Sequence, residues 1–143
     1  MATDQDRNVY VVGVTWGALG GPNNGISDAW VIKFDGSGRR LWSRQPGMSD
    51  YDFSRGVATD QDGNVYVVGY TGNALGGSYK GNSDAWVIKF DGSGRRLWSR
   101  QPGTVDYDYA GYVATDQHGN VYVFGSTNGA LGGSYKGVSS MHG

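Results

Sequence analysis

A repeat of 56 residues is the feature that most limits what this chain can fold into. The triplet Ala-Thr-Asp that begins at Ala2 recurs at Ala58 and again at Ala114, with the same spacing both times. Residues 1–56 and 57–112 share 41 of 56 positions without a gap. A period of this length is typical of repeat architectures, in which each unit buries its apolar faces against its neighbours.

The spacing divides the chain into two full repeats and part of a third. Repeat 1 covers 1–56, repeat 2 covers 57–112 and partial repeat 3 covers 113–143. The identity extends into the loops, which indicates either recent duplication or deliberate construction.

Repeat 2 carries the pattern of four strands joined by glycine-containing turns. Gln61-Asp62-Gly63 is a hairpin signal, and Asp91 to Gly94 forms a second one. The segments between these turns are rich in β-branched and aromatic residues. Strands A, B, C and D are therefore predicted, in this order, at 56–60, 64–69, 83–90 and 95–100.

Strand C predicts a sheet that is covered on both sides. Ala85 and Val87 alternate with Trp86, Ile88 and Phe90, so both faces carry apolar side chains. Four antiparallel strands per unit, two apolar faces and a repeat of about 50 residues predict an all-β fold made of β-propeller blades. A parallel β-helix is the weaker alternative because it ordinarily uses shorter rungs.

Several turn and strand positions of repeat 2 occur in an order that is found in a known family. They are 56–60, 62–67, 69–71, 83–87, 90–91, 94 and 97–98. Together they resemble the bacterial β-propeller repeat known as the SBBP repeat, and the blade layout resembles that of NHL-type propellers. The resemblance implies a propeller with strand A innermost and strand D outermost. It also implies a secreted or surface-associated bacterial parent protein without common catalytic residues.

The number of repeats predicts self-association. Dividing 143 by 56 gives about 2.55 units, whereas propellers contain about four to eight blades. We expect strands A and B of repeat 3 at 112–116 and 120–124, followed by a truncated tail. One chain would then form an incomplete ring with exposed apolar blade faces, which mark association surfaces. The chain itself is thus the predicted partner, and homo-oligomerisation is predicted to complete the ring.

Eight apolar residues at equivalent strand positions are predicted to pack between blades rather than to bind a ligand. They are Trp30, Ile32, Phe34 and Trp42 in repeat 1 and Trp86, Ile88, Phe90 and Trp98 in repeat 2.

The long B–C and D–A loops are where the sequence favours ligand binding. Consecutive strands alternate in direction, so these loops gather at one end of every blade, and rigid scaffolds commonly carry binding residues in loops. Tyrosines beside carboxylates suit sugar rings, because an aromatic face contacts the C–H groups of the sugar and an Asp carboxylate accepts hydrogen bonds from its hydroxyl groups. The alternative is that these tyrosines pack between blades and the aspartates cap loop amides. The residues concerned are Asp50, Tyr51, Asp52, Asp106, Tyr107, Asp108 and Tyr109.

The sequence predicts no catalytic residues, no metal site and no cofactor. Neither His118 nor His142 has a fixed nucleophile near it in the sequence, and the absence of cysteine excludes thiol enzymes and disulfide scaffolds. The segment from Asp60 to Asn64 begins like a calcium loop but lacks the later bidentate Glu, so a hairpin turn is favoured.

Charge and hydropathy exclude further classes of partner. A formal net charge of −1 removes a general electrostatic reason for binding nucleic acid or an anionic membrane. No apolar run approaches the roughly 18 residues of a membrane helix, and no signal peptide is recognised at Met1. We therefore predict a non-catalytic structural module that self-assembles through blade packing. Multivalent carbohydrate binding is the alternative.

Overall fold

Eleven β-strands and no helix make up the described part of the chain. The computed structural model describes residues 1–19, 26–46, 51–72, 83–104, 106–129 and the backbone of 140–142. The predicted all-β fold is confirmed, and no described segment is a helix long and apolar enough to cross a membrane. The strands are β1 (Ala2–Thr3), β2 (Val9–Thr15), β3 (Asp28–Phe34), β4 (Arg40–Arg44), β5 (Asp52–Thr59), β6 (Val65–Thr71), β7 (Asp84–Phe90), β8 (Arg96–Arg100), β9 (Asp108–Thr115), β10 (Val121–Thr127) and β11 (Ser140–His142).

The strands form three antiparallel sheets, which follow one another along the chain. Blade 1 contains β1 to β4 and blade 2 contains β5 to β8, each in sequential order, as the sequence predicts. In blade 3, β10 lies between β9 and β11. The expectation that a tail without strands follows β10 is therefore wrong, because Thr127 pairs with Ser140 in the register that joins Thr71 to Asp84 in blade 2.

Tight turns connect the strands at one end of the blades. Gly63 in the β5–β6 turn has a φ of 80°, which favours glycine because a side chain is strained in this region. Arg7 occupies the equivalent turn of blade 1 with a φ of 67°. The turn geometry therefore persists where the glycine is replaced.

The first strand of blade 2 begins earlier than the sequence predicts. β5 starts at Asp52 instead of residue 56, and a bulge interrupts its pairing with β6 between Ser54 and Gly56. A Cβ at Gly69 would collide with the carbonyl oxygen of Phe53, so the glycine of β6 allows the bulged strand to come close. The bulge and the early start also occur in β9, where Gly125 faces the carbonyl oxygen of Tyr109.

The blades pack face to face through two apolar clusters. Between blades 1 and 2, the side chains of Tyr10 and Val31 contact a cluster that includes Trp86, Ile88 and Phe90 of blade 2. The cluster between blades 2 and 3 has a second set of members. They are Tyr66, Val68, Ala85 and Val87 from blade 2 and Ala110 and Val113 from blade 3.

The residues predicted to pack between blades fall into three groups. Trp86, Ile88 and Phe90 lie in the cluster between blades 1 and 2, where Trp42 is packed against them from blade 1. Trp98 packs against the cluster between blades 2 and 3. The remaining three lie on the outer face of blade 1, since they alternate with Ala29 and Val31, which face blade 2. These are Trp30, Ile32 and Phe34.

Hydrogen bonds join the inner strands of the blades. β5 contacts both β1 and β9, which places the first strand of each blade toward a common axis. The Thr59 hydroxyl donates to the carbonyl oxygen of Thr3, and the Thr115 hydroxyl to that of Thr59, each at 2.7 Å.

Blades 1 and 2 are also joined at the β7–β8 turn. The Lys33 ammonium and the Trp42 indole N–H both donate to the carbonyl oxygen of Gly92 at 2.9 Å. Arg44 Nε donates to the carbonyl oxygen of Gly94 at 2.8 Å. The turn is thus anchored by three side chains of the preceding blade.

Candidate functional site

The aspartates proposed as sugar ligands do not remain together in the loops. Asp52 and Asp108 are fully buried at the first positions of β5 and β9, which corrects the prediction that they are loop residues. Asp106 is exposed, and Asp50 lies outside the described residues. Of the described aspartates in this set, only Asp106 offers an exposed carboxylate to a ligand.

The two buried aspartates hold neighbouring blades together. Their backbone N–H groups donate to Ser27 and Ser83 of the preceding blades, at 2.9 Å from Asp52 and 2.8 Å from Asp108. The Asp52 carboxylate accepts a hydrogen bond from the Thr71 hydroxyl. The backbone N–H and the carboxylate of Asp52 therefore both have a structural function at the boundary between blades 1 and 2.

Asp108 makes the corresponding contacts in blade 3. Its carboxylate accepts hydrogen bonds from the Thr127 hydroxyl and from the backbone N–H of Thr104, the latter at 2.6 Å. The recurrence of aspartate and threonine 19 residues apart is a signal from which this pair could have been predicted.

A second pair of buried carboxylates lies near the same end of the blades. Asp28 Oδ2 accepts a hydrogen bond from Gln45 Nε2 at 2.9 Å, and Asp84 Oδ2 accepts one from Gln101 Nε2 at 3.0 Å. Gln45 also donates to the carbonyl oxygen of Gly17 at 2.9 Å. The same aspartate–glutamine pair thus occurs in both repeats, and its hydrogen bond stabilises the end of each blade that carries the long loops.

The tyrosines of the predicted site do come together. We call the set Tyr51, Phe53, Tyr70, Tyr107 and Tyr109 the aromatic row. Phe53 and Tyr70 stack at 4.8 Å between ring centroids, and Tyr70 meets Tyr109 edge-on at 4.7 Å. Tyr51 lies 5.8 Å from Phe53, and the rings of Tyr107 and Tyr109 are nearly parallel at 6.4 Å. Phe53 and Tyr70 were missed by the sequence analysis.

An open cleft of about 500 Å³ lies beside the aromatic row, between blades 2 and 3. The Arg55 guanidinium carbon lies 5.5 Å from the centroid of the Tyr70 ring, and Arg55 Nη2 donates to the Tyr70 hydroxyl at 3.0 Å. Burial raises the pKa of Tyr109, and the charges of neighbouring tyrosines and of Asp108 raise it further. The lining residues are Arg55, Tyr70, Tyr109, Ala110 and Gly111.

Three aspartates lie at the opposite end, where the inner strands run into the tight turns. Asp60 Oδ1 accepts the backbone N–H groups of Asp62 and Asn64 at 2.9 Å, and Oδ2 accepts the Tyr66 hydroxyl at 2.8 Å. Burial alone raises the pKa of Asp60, but the hydrogen bonds from Asn64 and Tyr66 lower it overall. Asp4 and Asp116 have equivalent partners.

These turn aspartates border a cavity of about 420 Å³, together with the threonine and glutamine on either side of each. Their carboxylate oxygens are already engaged by the turns. Among the described residues, no three His, Cys, Asp or Glu side chains are placed to hold a metal ion.

Comparison with known proteins gives a family and two distant relatives. The match to the SBBP beta-propeller repeat covers residues 41–77 and 97–133, just over half of the chain. Regulatory protein FlaEY of Caulobacter vibrioides is 28% identical over 148 residues, which cover 92% of this chain and 16% of that protein. An uncharacterized WD repeat-containing protein of Acanthamoeba polyphaga mimivirus is 25% identical over 118 residues, which cover 74% of this chain and 8% of that protein.

The chain spans less than a fifth of either relative's length. The two matched segments each begin in the last strand of one blade and include the first two strands of the next blade. The family resemblance seen in the sequence, the antiparallel sheets and the matched segments agree: this chain belongs to the SBBP β-propeller repeat family.

Proposed function

We propose that the chain is a non-catalytic structural module, and that a second copy supplies the blades that cover its outer faces. The observation that supports this most directly is a repetition of side chains. The outer face of blade 1 carries the same residues that blade 2 buries against blade 1.

The repeated residues differ in their exposure. Five side chains of blade 2 that face blade 1 are at most 2% exposed: Val65, Val67, Trp86, Ile88 and Phe90. The outer face of blade 1 carries the same residue types at Val9, Val11, Trp30, Ile32 and Phe34. Four of these five are partly exposed, and Ile32 is buried. The outer face therefore has the chemistry of a blade boundary.

Blade 3 presents the complementary kind of face. Tyr112, Tyr122 and Phe124 are 62%, 47% and 37% exposed. Tyr122 stands where repeat 2 has Tyr66, whose side chain is buried against blade 3. The face of blade 3 away from blade 2 thus corresponds to the face with which each blade contacts the next.

The two outer faces are of opposite type, so copies would associate head to tail. Such contacts are heterologous, and they build a closed ring where the rotation between copies closes. Burying about 400 Å² of apolar surface at roughly 25 cal/mol per Å² stabilises by about 10 kcal/mol, comparable to the stability of a whole domain. Association therefore has a sufficient driving force.

Light scattering after size-exclusion chromatography tests this proposal over a range of micromolar concentrations. We expect the wild type to form oligomers, and Val11→Asp or Tyr122→Asp to shift the mass to that of a folded monomer. His118→Asp is the matched control, because it adds a carboxylate in an exposed turn where repeat 2 has Asp62. A wild-type chain that stays monomeric and folded at every concentration contradicts the proposal.

Carbohydrate binding is a second candidate function, and the aromatic row favours it. The ring of Tyr107 is 44% exposed and nearly parallel to that of Tyr109, which suits contact with the C–H face of a sugar. Calorimetric titration with neutral oligosaccharides tests this function. We expect binding that Tyr107→Ala removes and Tyr112→Ala, outside the row, retains. Absence of binding to all sugars would contradict it.

A further inference from the structure

We propose that the cleft between blades 2 and 3 binds an acidic sugar, with Arg55 holding the sugar carboxylate and the tyrosines contacting the ring. This inference rests on the carbohydrate-binding function proposed above and not on self-association. It names the substrate class and reduces the site to one cleft, where the sequence alone predicted multivalent binding.

The cleft lies where the two repeats differ. The strands present in both repeats (β2 and β6, β3 and β7, β4 and β8, β5 and β9) differ at five positions. Every residue that lines the cleft stands at one of them. The differing pairs are Val14 and Tyr70, Phe53 and Tyr109, Ser54 and Ala110, Arg55 and Gly111, and Gly56 and Tyr112.

These differences give the cleft its shape and its polar groups. At the boundary between blades 1 and 2, the equivalents of Tyr70 and Tyr109 are Val14 and Phe53, which have no hydroxyl. Gly111 in β9 stands where β5 of blade 2 has Arg55, and a Cβ at Gly111 would meet nothing within 4 Å. The cleft is therefore open on the blade 3 side and carries its cation on the blade 2 side.

The cleft carries a positive charge that is available to a ligand. Arg55 is exposed, and no ion pair joins it to a carboxylate of the described residues. The Tyr70 ring and hydroxyl hold the guanidinium in place, which leaves further N–H donors for a ligand. A planar guanidinium binds a carboxylate through two parallel hydrogen bonds, and this geometry is its most specific use.

The burial of two aspartates favours acidic over neutral sugars. Two of the three described aspartates predicted to accept hydrogen bonds from a neutral sugar, Asp52 and Asp108, are fully buried and bonded to threonines, which leaves only Asp106 exposed. The aromatic row supplies flat apolar surface beside the cation, with Tyr107 the most exposed of its rings. A uronic acid offers both a carboxylate for Arg55 and C–H groups for the tyrosines.

Calorimetric titration of the full chain with a uronic acid trisaccharide tests the inference. The comparison ligands are the neutral trisaccharide of the same linkage and sodium sulfate. We expect the acidic trisaccharide to bind at least about tenfold more tightly than either, and its affinity to fall as salt rises.

The variants separate the cation from the rings. Arg55→Gln should lose at least about tenfold in affinity for the acidic trisaccharide. Arg55→Lys should lose less, because lysine keeps the positive charge but lacks the paired N–H donors of the guanidinium. Tyr109→Phe restores the residue of repeat 1 and keeps the ring, so it should change affinity by less than about threefold. Arg39→Gln, in an exposed turn at the other end, is the matched control and should bind like the wild type.

Each failure has a distinct meaning. Equal affinity for the acidic and neutral trisaccharides overturns this inference and leaves carbohydrate binding standing. No binding of any sugar overturns both. Sulfate binding as tight as the acidic trisaccharide, or unchanged affinity in Arg55→Gln with the wild-type melting temperature, also overturns the acidic-sugar site.

Discussion

Both blade boundaries bury valines at equivalent positions, but their apolar clusters have different members, and the boundaries also differ near the long-loop end. Valines at equivalent positions face the preceding blade at both boundaries: Val57 and Val65 at the first, Val113 and Val121 at the second. Near the long-loop end, the second boundary adds an arginine and a tyrosine pair where the first has none. Repeated residues therefore hold the blades together, while four of the five strand positions at which the repeats differ line one cleft, where the chain can specialise.

The largest expected effect concerns a residue at the boundary between blades 1 and 2. Trp86 is fully buried between blades 1 and 2, whereas its equivalent Trp30 lies on an outer face. Trp86→Ala should reduce the free energy of unfolding by about 3–5 kcal/mol. Trp30→Ala in a dilute monomer should cost less than about 2 kcal/mol. Urea denaturation measures both, and equal losses in the monomer would contradict the difference between the two faces.

The next effect concerns the turns that every blade shares. Asp60→Ala removes the acceptor for two backbone N–H groups and for the Asn64 and Tyr66 side chains, so it should cost about 1–3 kcal/mol. Asp62→Ala is the control, because the Asp62 side chain is exposed, and it should stay within about 0.5 kcal/mol of the wild type. Thermal melting of the two variants measures this difference. A lower melting temperature for Asp62→Ala than for Asp60→Ala would contradict the prediction.

A smaller effect distinguishes the outer edges of the two boundaries. Trp42 donates its indole N–H to the carbonyl oxygen of Gly92 in the next blade, whereas Trp98 makes no such bond to the described residues. Trp42→Phe should therefore cost about 0.5–1.5 kcal/mol more than Trp98→Phe. Chemical denaturation of both variants measures this difference. Equal costs would show that the bond to Gly92 adds nothing to the packing of the ring.

The smallest effect is a dependence on pH. Hydrogen bonds from the Asn120 side chain and backbone lower the pKa of Asp116 to about 2. A carboxyl whose pKa is lowered by folding stabilises the protein above its unfolded pKa near 4, and this contribution is lost as the pH falls toward 2. Asp116→Asn should lack this part of the acid sensitivity. Denaturation midpoints between about pH 5 and pH 2 would show parallel curves for the two proteins if the prediction is wrong.

Much of the blade could be predicted from local patterns. Glycine-containing turns and alternating apolar residues give the four strands of blade 2, because turn conformation and the two-residue period of a strand are local properties. The start of β5 at Asp52 was not predicted. Residues 52–55 have no clear strand pattern by themselves, and they become a strand only by pairing with β6 through a bulge. The short strand β11 also depends on its partner β10.

The candidate site was predictable in part. The sequence grouped Tyr51, Tyr107 and Tyr109, which do lie together, but it assigned Asp52 and Asp108 to the same exposed surface. Their burial follows from contacts with Thr71 and Thr127, which are 19 residues away in the chain. Arg55 and Tyr70 were missed because each looks like an ordinary strand residue until the two repeats are compared at the cleft.

The sequence by itself determined the repeat, the strand order and the apolar character of both blade faces, because these depend on period and on local turn chemistry. Only the tertiary structure decided which carboxylates are buried, which tryptophans lie between blades and which residues line the cleft. These depend on how one blade stacks on the next, where positions 56 residues apart become neighbours and identical side chains meet different surroundings.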